Sequence, residues 1–187
     1  MTTKINQKTK NGFTLVEALV AISILMIAVT GPLMITQKGL VSAIGSKDQM
    51  VAAFLAQDAI EFVKNARDNA GVLAESGGSA GAEWLPTILS CTAAGCNFDT
   101  LTGAPGSFSI CMKRDAAGVF QGYGIVGDSK CNGNTSKYTR KILITKTSSI
   151  VSPGLDEAYV DVTVAWGNGL DQQVRIGSYV YNYWGNL

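Results

Sequence analysis

Apolar and polar positions follow three different rhythms along this chain, and each predicts a different element. From Phe13 to Thr36 the residues are almost all apolar or small, with Glu17 the one ionisable group among 24. A helix of that length rises about 36 Å, enough to cross a hydrocarbon layer of about 30 Å. After Gln37 the pattern turns amphipathic. Leu40, Ile44, Val51, Leu55, Ala59, Phe62 and Ala66 recur at intervals of three, four or seven, while Lys47, Asp48, Gln57, Lys64 and Asp68 fall mostly on other faces. This predicts one long helix whose second half, residues 37–70, lays its stripe on a sheet of its own domain. A free-standing coiled coil fits less well, because the stripe is irregular and contains small residues. Gly31-Pro32 predicts a kink near the outer end of the apolar run, since Pro32 lacks a backbone donor and disfavours helix in the residue before it. Gly39 and Gly45 loosen the stretch that follows.

Residues 71–107 break both periodicities with Gly71, Gly77, Gly78, Gly81, Gly95, Gly103, Gly106, Pro86 and Pro105. They read as a long connection, with one short helical turn near Trp84–Leu89. Beyond it, alternation with a period of two predicts strands with one buried face. Phe108, Ile110 and Met112 form one such set, and Tyr138, Arg140, Ile142 and Ile144 a second. Val160, Val162, Val164 and Trp166 form a third, and Val174, Ile176, Ser178 and Val180 a fourth. Asn168-Gly169 between the last two sets is a hairpin signal. The predicted fold class is α+β: a long N-terminal membrane-spanning helix whose C-terminal half packs on an antiparallel sheet of about four strands, residues 108–187.

Charge sharpens the first of these elements. Lys4, Lys8 and Lys10 supply three of the 15 basic side chains within the first twelve residues, where there is no acid, and the rest of the chain is slightly acidic. A basic tip ahead of a long apolar run directs translocation, with the tip kept inside and everything after the span sent outside. The net charge of +1 offers no nucleic-acid surface. Histidine is absent, which removes the commonest general base and the commonest metal ligand together. Serine, aspartate and glutamate stand in no catalytic frame, so the chain reads as a non-enzyme without a cofactor. Four cysteines, Cys91, Cys96, Cys111 and Cys131, lie beyond the span. They suit an oxidising compartment and up to two disulfides with three connectivities open, of which Cys91–Cys96 with Cys111–Cys131 is favoured. A four-cysteine metal site is the rival, but the spacings lack the paired C-x-x-C form of zinc ribbons.

The informative string is Lys10-Asn11-Gly12-Phe13-Thr14-Leu15-Val16-Glu17-Ala18-Leu19-Val20-Ala21. It joins a basic flank, a glycine at the bilayer edge and a carboxylate one turn into an apolar helix. Such an acid costs about 2.5–3.5 kcal/mol deep in a span, less near the interface, and usually has a partner. No Lys or Arg lies within the span. Cleavage after Gly12 supplies a cation: an amine on Phe13, with a reference pKa of about 7.7–8.0, is largely charged at neutral pH. Within one helix that amine lies about 6 Å along the axis from residue 17, so a neighbouring chain displaced by a similar rise places its amine beside Glu17.

In these residues the chain resembles the type IV pilin family, which includes minor pilins and the pseudopilins of type II secretion. That signature is a basic leader ending in glycine, then phenylalanine, then glutamate at the fifth mature position; Gly12, Phe13 and Glu17 match it. The resemblance implies cleavage between Gly12 and Phe13 by prepilin peptidase, N-methylation of Phe13, and partners in other pilin subunits and an inner-membrane assembly platform. It divides the chain into a cleaved leader (1–12), a transmembrane and filament-core helix (13–36), an amphipathic helix (37–70), a Gly-rich loop (71–107) and a β-sheet head (108–187). Gly31 and Pro32 lie where related pilins have a helix-breaking residue that melts on assembly. The segment Leu55–Glu61 is similar to that of minor pilins of the pilus-modification type, and the runs Val160–Trp166 and Val174–Trp184 are similar to the terminal hairpin of that group and of the small pseudopilins. The expected function is a structural subunit of a type IV pilus or related filament, a minor one by that last likeness, held first in the inner membrane with its head outside and then assembled into an extracellular pilus or periplasmic pseudopilus. The alternatives are a type II secretion pseudopilin and a membrane-tethered surface-binding module that never polymerises.

Other signals carry less. A conventional secretory signal fits poorly, because the apolar run is long and Val41-Ser42-Ala43 is badly placed for cleavage. Asn134-Thr135-Ser136 fits an N-glycosylation tripeptide, a pattern common by chance. Asp99, Asp128, Asp156 and Glu157 read as solvated acids near turns. Tyr179, Tyr181, Tyr183 and Trp184 read as a half-exposed sheet face, with an adhesive or partner-binding patch as the second reading.

Overall fold

The computed structural model describes residues 12–75, 91, 94–127, 131, 135–148, 156–167 and 172–182. In chain order it comprises α1 (Leu15–Glu75) and the strands β1 (Ser109–Arg114), β2 (Phe120–Ile125), β3 (Thr135–Ser148), β4 (Asp156–Trp166) and β5 (Gln173–Tyr181). The strands form one sheet in the order β2-β1-β3-β4-β5, each neighbouring pair antiparallel. The chain divides into two compact units, one ending at Ser46 and the other beginning at Lys47.

In the first unit every described residue is exposed. Leu15, Ile22, Leu25, Met26, Ile27, Val29 and Ile35 all keep more than half of their surface uncovered. The helix passes through Gly31 and Pro32 without interruption. One helix among the described residues is long and apolar enough to cross a membrane, and its most apolar window has a mean hydropathy of 2.4. Soluble chains rarely present so much contiguous apolar surface.

The second unit has a conventional core. Helix residues Ala52, Leu55, Ala56, Ala59, Ile60 and Val63 join Ile110, Tyr138, Ile142, Ile144, Ala158, Val160, Val162, Val164, Trp166 and Val180 in one buried cluster. Three alanines along the helix stripe let its backbone approach the sheet closely, and the β-branched residues of β3 and β4 fill the facing layer. The expected stripe is realised from Val51 onward, whereas Leu40 and Ile44 are 64% and 51% exposed.

The sheet has five strands where about four were expected. The additional one is β2, whose alternation is hidden by Gly122 and Gly124. Gly124 is small for a reason: a Cβ there would overlap the Lys113 side chain and press on Asp99 Oδ2. The β1–β2 turn is held by Asp115, whose Oδ1 accepts hydrogen bonds from the amides of Ala117 and Val119 at 3.0 and 2.8 Å. Gly118 closes that turn at φ 80°, a left-handed value that glycine adopts without cost. The register of β4 on β5 runs from Ala165 opposite Gln173 to Glu157 opposite Tyr181. The Asn168-Gly169 turn that would join them lies outside the described residues, as do the turn near Trp84–Leu89, Asn134, Asp128, Tyr183 and Trp184.

Two acids read as solvated are instead buried. Asp99 is 1% and Glu157 7% exposed. Asp99 is drawn inward by partners that no sequence spacing revealed, described below.

Candidate functional site

The candidate site begins at the start of α1. Gly12, Phe13 and Thr14 precede the helix, and Phe13 is 81% exposed. A Cβ added to Gly12 meets nothing within 4 Å, so the packing of the chain itself does not require glycine there. Thr14 caps the helix. Its carbonyl accepts the first helical hydrogen bond, from Ala18 N at 3.2 Å, and its Oγ1 accepts one from Glu17 N at 3.3 Å. Thr14-Leu15-Val16-Glu17 therefore has the spacing of a capping box, with Glu17 in the first turn, where unsatisfied amides favour a negative charge. The sequence reading missed this local role; Thr14 three residues before the acid was the available signal. The Glu17 side chain itself is exposed among apolar neighbours.

Further along the apolar run, hydroxyls fold back onto the helix. Ser23 Oγ donates to Leu19 O at 2.8 Å, and Thr30 Oγ1 donates to Met26 O and Ile27 O at 3.0 and 3.2 Å. Thr36 Oγ1 donates to Pro32 O and Leu33 O at 3.1 and 2.8 Å. Such bonds keep polar side chains satisfied in a setting without water. Pro32 has no N–H and so leaves the Ala28 carbonyl without its usual helical donor. A Cβ at Gly31 would meet nothing within 4 Å.

In the second unit, two covalent links and a buried polar network support the sheet. Cys91 is bonded to Cys96 and Cys111 to Cys131, with Cα separations of 4.7 and 5.6 Å. The first link shapes a segment that pairs with β3 where β1 leaves off. Cys96 N donates to Ile142 O at 2.9 Å, Ile142 N to Cys96 O at 2.8 Å, and Ile144 N to Cys91 O at 2.8 Å. Arg140, on the core-facing register of β3, ties this segment to the helix. Its Nε donates to Asn97 Oδ1 at 2.8 Å and its Nη2 to Phe98 O at 2.7 Å. Its Nη1 reaches Leu55 O at 3.1 Å and Asp58 Oδ2 at 3.3 Å. Burial pushes the guanidinium below its ordinary pKa, against the opposing pull of Asp58 and Asp99. The signal was present in the sequence: Arg140 alternates in phase with Tyr138, Ile142 and Ile144, which places a charge on a buried face.

Asp99 accepts from Lys113 Nζ at 2.6 Å through Oδ2 and from Leu101 N and Thr102 N at 2.9 and 3.2 Å through Oδ1. Burial alone raises its pKa, but the Lys113 hydrogen bond, the two amides and the Lys113 charge together bring it below the usual carboxylate value. Asp48 lies at the start of the second unit, 2.5 Å from Lys137 Nζ and 3.2 Å from the Tyr138 hydroxyl that donates to it. Its pKa is lowered, chiefly by the hydrogen bond from Lys137. The Asp48 and Arg140 contacts fasten helix to sheet, and the Asp99 contact fastens a loop to β1. Among the described residues, no group of three His, Cys, Asp or Glu side chains is placed to hold a metal ion.

The prokaryotic N-terminal methylation motif matches residues 7–31, spanning Gly12, Phe13, Glu17 and Gly31. Neither the curated proteins nor the solved structures yield a match to this chain. The motif supports processing by prepilin peptidase, anchoring of the precursor in a membrane and assembly with other pilins, within a family that is structural and not enzymatic. Standing at the head of an apolar helix that runs on to an antiparallel sheet, the matched motif indicates the type IV pilin and pseudopilin family.

Proposed function

We propose that this chain is a minor structural subunit of a type IV pilus. Residues 1–12 are a leader, and the apolar helix holds the precursor in the inner membrane with its sheet outside. Prepilin peptidase cuts between Gly12 and Phe13, and the new amine on Phe13 is methylated. The helix then packs among those of other subunits, and Gly31 and Pro32 give it a segment able to unwind as it leaves the bilayer. The observation that carries this reading is Glu17: a carboxylate exposed in an apolar helix, one turn behind an exposed Gly12-Phe13 junction. Before cleavage the Phe13 nitrogen is an uncharged amide and the acid has only the helix terminus to stabilise it. Afterwards an adjoining subunit's amine supplies a full positive charge, and pairing the two sets the axial register between chains.

The test is the mass of the native amino terminus. A mature chain beginning at methylated Phe13, recovered from purified fibres, supports the proposal; a native chain that still begins at Met1 removes it. Pseudopilins share the matched motif, so a secretion pseudopilus is the second reading. Deleting the gene separates them, since loss of fibres follows from the first and loss of protein secretion from the second.

A further inference from the structure

The face of the sheet turned away from the core carries exposed aromatic and charged side chains side by side. Along β4 and β5, Ala158, Val160, Val162, Val164 and Val180 point into the core. The opposite register sets Tyr159 against Tyr179, Asp161 against Gly177 and Thr163 against Arg175. Among the described residues β5 pairs with β4 alone, at the end of the sheet order.

Tyr179 is 55% exposed, its ring centroid 4.9 Å from that of Tyr159 and 6.4 Å from that of Tyr181, to which it is nearly parallel at 21°. Gly177 makes this arrangement possible, since a Cβ there would overlap the Tyr159 hydroxyl. Beside the rings, Arg175 is held in place by Asp161, with Nε donating to Oδ1 and Oδ2 at 2.8 and 2.9 Å and Nη2 donating to Oδ2. The pair raises the Arg175 pKa and leaves its Nη1 without an acceptor among the described residues. The hydroxyls of Tyr159 and Tyr179 likewise have no hydrogen-bond partner among the described residues.

We propose that Tyr179, Tyr159 and Arg175 form a stacking platform for a neutral saccharide. A pyranose ring has an apolar C–H face and a rim of hydroxyls. The exposed Tyr179 ring offers the matching flat surface, and the Arg175 Nη1 and the tyrosine hydroxyls offer donors and acceptors at its margin. Asp161 already balances the Arg175 charge, so the platform has no net charge with which to select an anion. Thr163 and Gln173 on the same face, in place of aliphatic side chains, argue against a permanently covered protein interface, whose centre is apolar and depleted of charge. Because Arg175 is pre-positioned by its carboxylate partner, little side-chain freedom is lost on binding.

The experiment uses the full chain in a detergent without a sugar headgroup, probed against arrayed cello- and chito-oligosaccharides alongside sialylated and uronic-acid oligosaccharides. The expected result is binding of neutral oligosaccharides that Tyr179→Ala weakens about tenfold or more. Phe120→Ala, which removes an exposed aromatic on the opposite edge strand, leaves that binding unchanged, and both variants keep the wild-type circular dichroism. Absence of wild-type binding up to about 10 mM sugar, a range that admits even weak ligands, overturns the proposal. So do binding confined to the acidic oligosaccharides, equal loss in Tyr179→Ala and Phe120→Ala, and cross-linking that shows this face covered by a second protein chain.

Discussion

At the scale of single residues, three positions carry most of the argument. Gly12 meets no neighbour among the described residues, so enlarging it is expected to cost the fold nothing and to act only on the proposed cleavage. Gly12→Leu is expected to leave the full-length precursor in the membrane fraction with both disulfides intact, read by immunoblot and peptide mapping. Glu17→Leu is expected to permit insertion and cleavage yet lower incorporation into fibres that contain other subunits; unchanged incorporation would end the register argument. Arg140 is the third. Replacing it with methionine strands Asn97 Oδ1 and the Phe98 carbonyl in the interior, and the expected loss is about 3 kcal/mol in denaturant unfolding. The buried Asp99 adds a pH dependence whose sign is fixed. Its folded pKa lies below the reference 3.8, so the unfolded chain binds the proton more readily, and the stability it contributes is complete above that value and lost as pH falls through the folded one. Asp99→Asn is expected to be less stable at pH 7 and to lose stability less steeply below pH 4.

Among the elements, the segment closed by Cys91–Cys96 has the clearest physical purpose. β1 covers only part of the β3 edge, with Ser109 opposite Thr139 and Cys111 opposite Thr135. Cys91 and Cys96 satisfy the amides of Ile144 and Ile142 beyond it. An open run of unpaired amides on a long strand invites pairing with another chain. Converting both cysteines to serine is expected to reduce stability by about 2 kcal/mol on chain-entropy grounds. Hydrogen exchange should locate the change: faster at Ile142 and Ile144, unaltered at Val160 and Val162, which lie between β3 and β5. Equal acceleration at all four amides would mean that the link stabilises the sheet globally and not this edge.

On the scale of the whole molecule, burial divides the chain sharply. Every member of the buried cluster lies between Ala52 and Val180, and the described residues up to Ser46 contribute none. The second unit thus holds a core to which the apolar run contributes no described residue, and the described residues of that run are exposed. A chain beginning at Lys47 is expected to stay in the aqueous phase of a detergent partition with both disulfides formed, and the full chain to enter the detergent phase. Aggregation of the shorter chain would show that the head needs the helix before it.

How much of this was legible depends on the range over which each signal acts. The apolar run, the basic flank, the strand alternations and the Gly12-Phe13-Glu17 spacing are local patterns set by helix rise, strand pleat and charge, and the sequence determined them unaided. Four of the strands followed from period-two alternation; β2 did not, because Gly122 and Gly124 erase the pattern, and the reason for Gly124, the room needed by Lys113 and Asp99, exists only once distant segments meet. The inward placement of Asp99 was likewise invisible, since its partner Lys113 lies on another strand and its turn amides act only in the folded loop. Tertiary structure alone decided which apolar stripe found a sheet and which was left bare. Burial from Val51 onward requires the apolar layer that β3 and β4 form only when distant segments pair, which no residue spacing encodes.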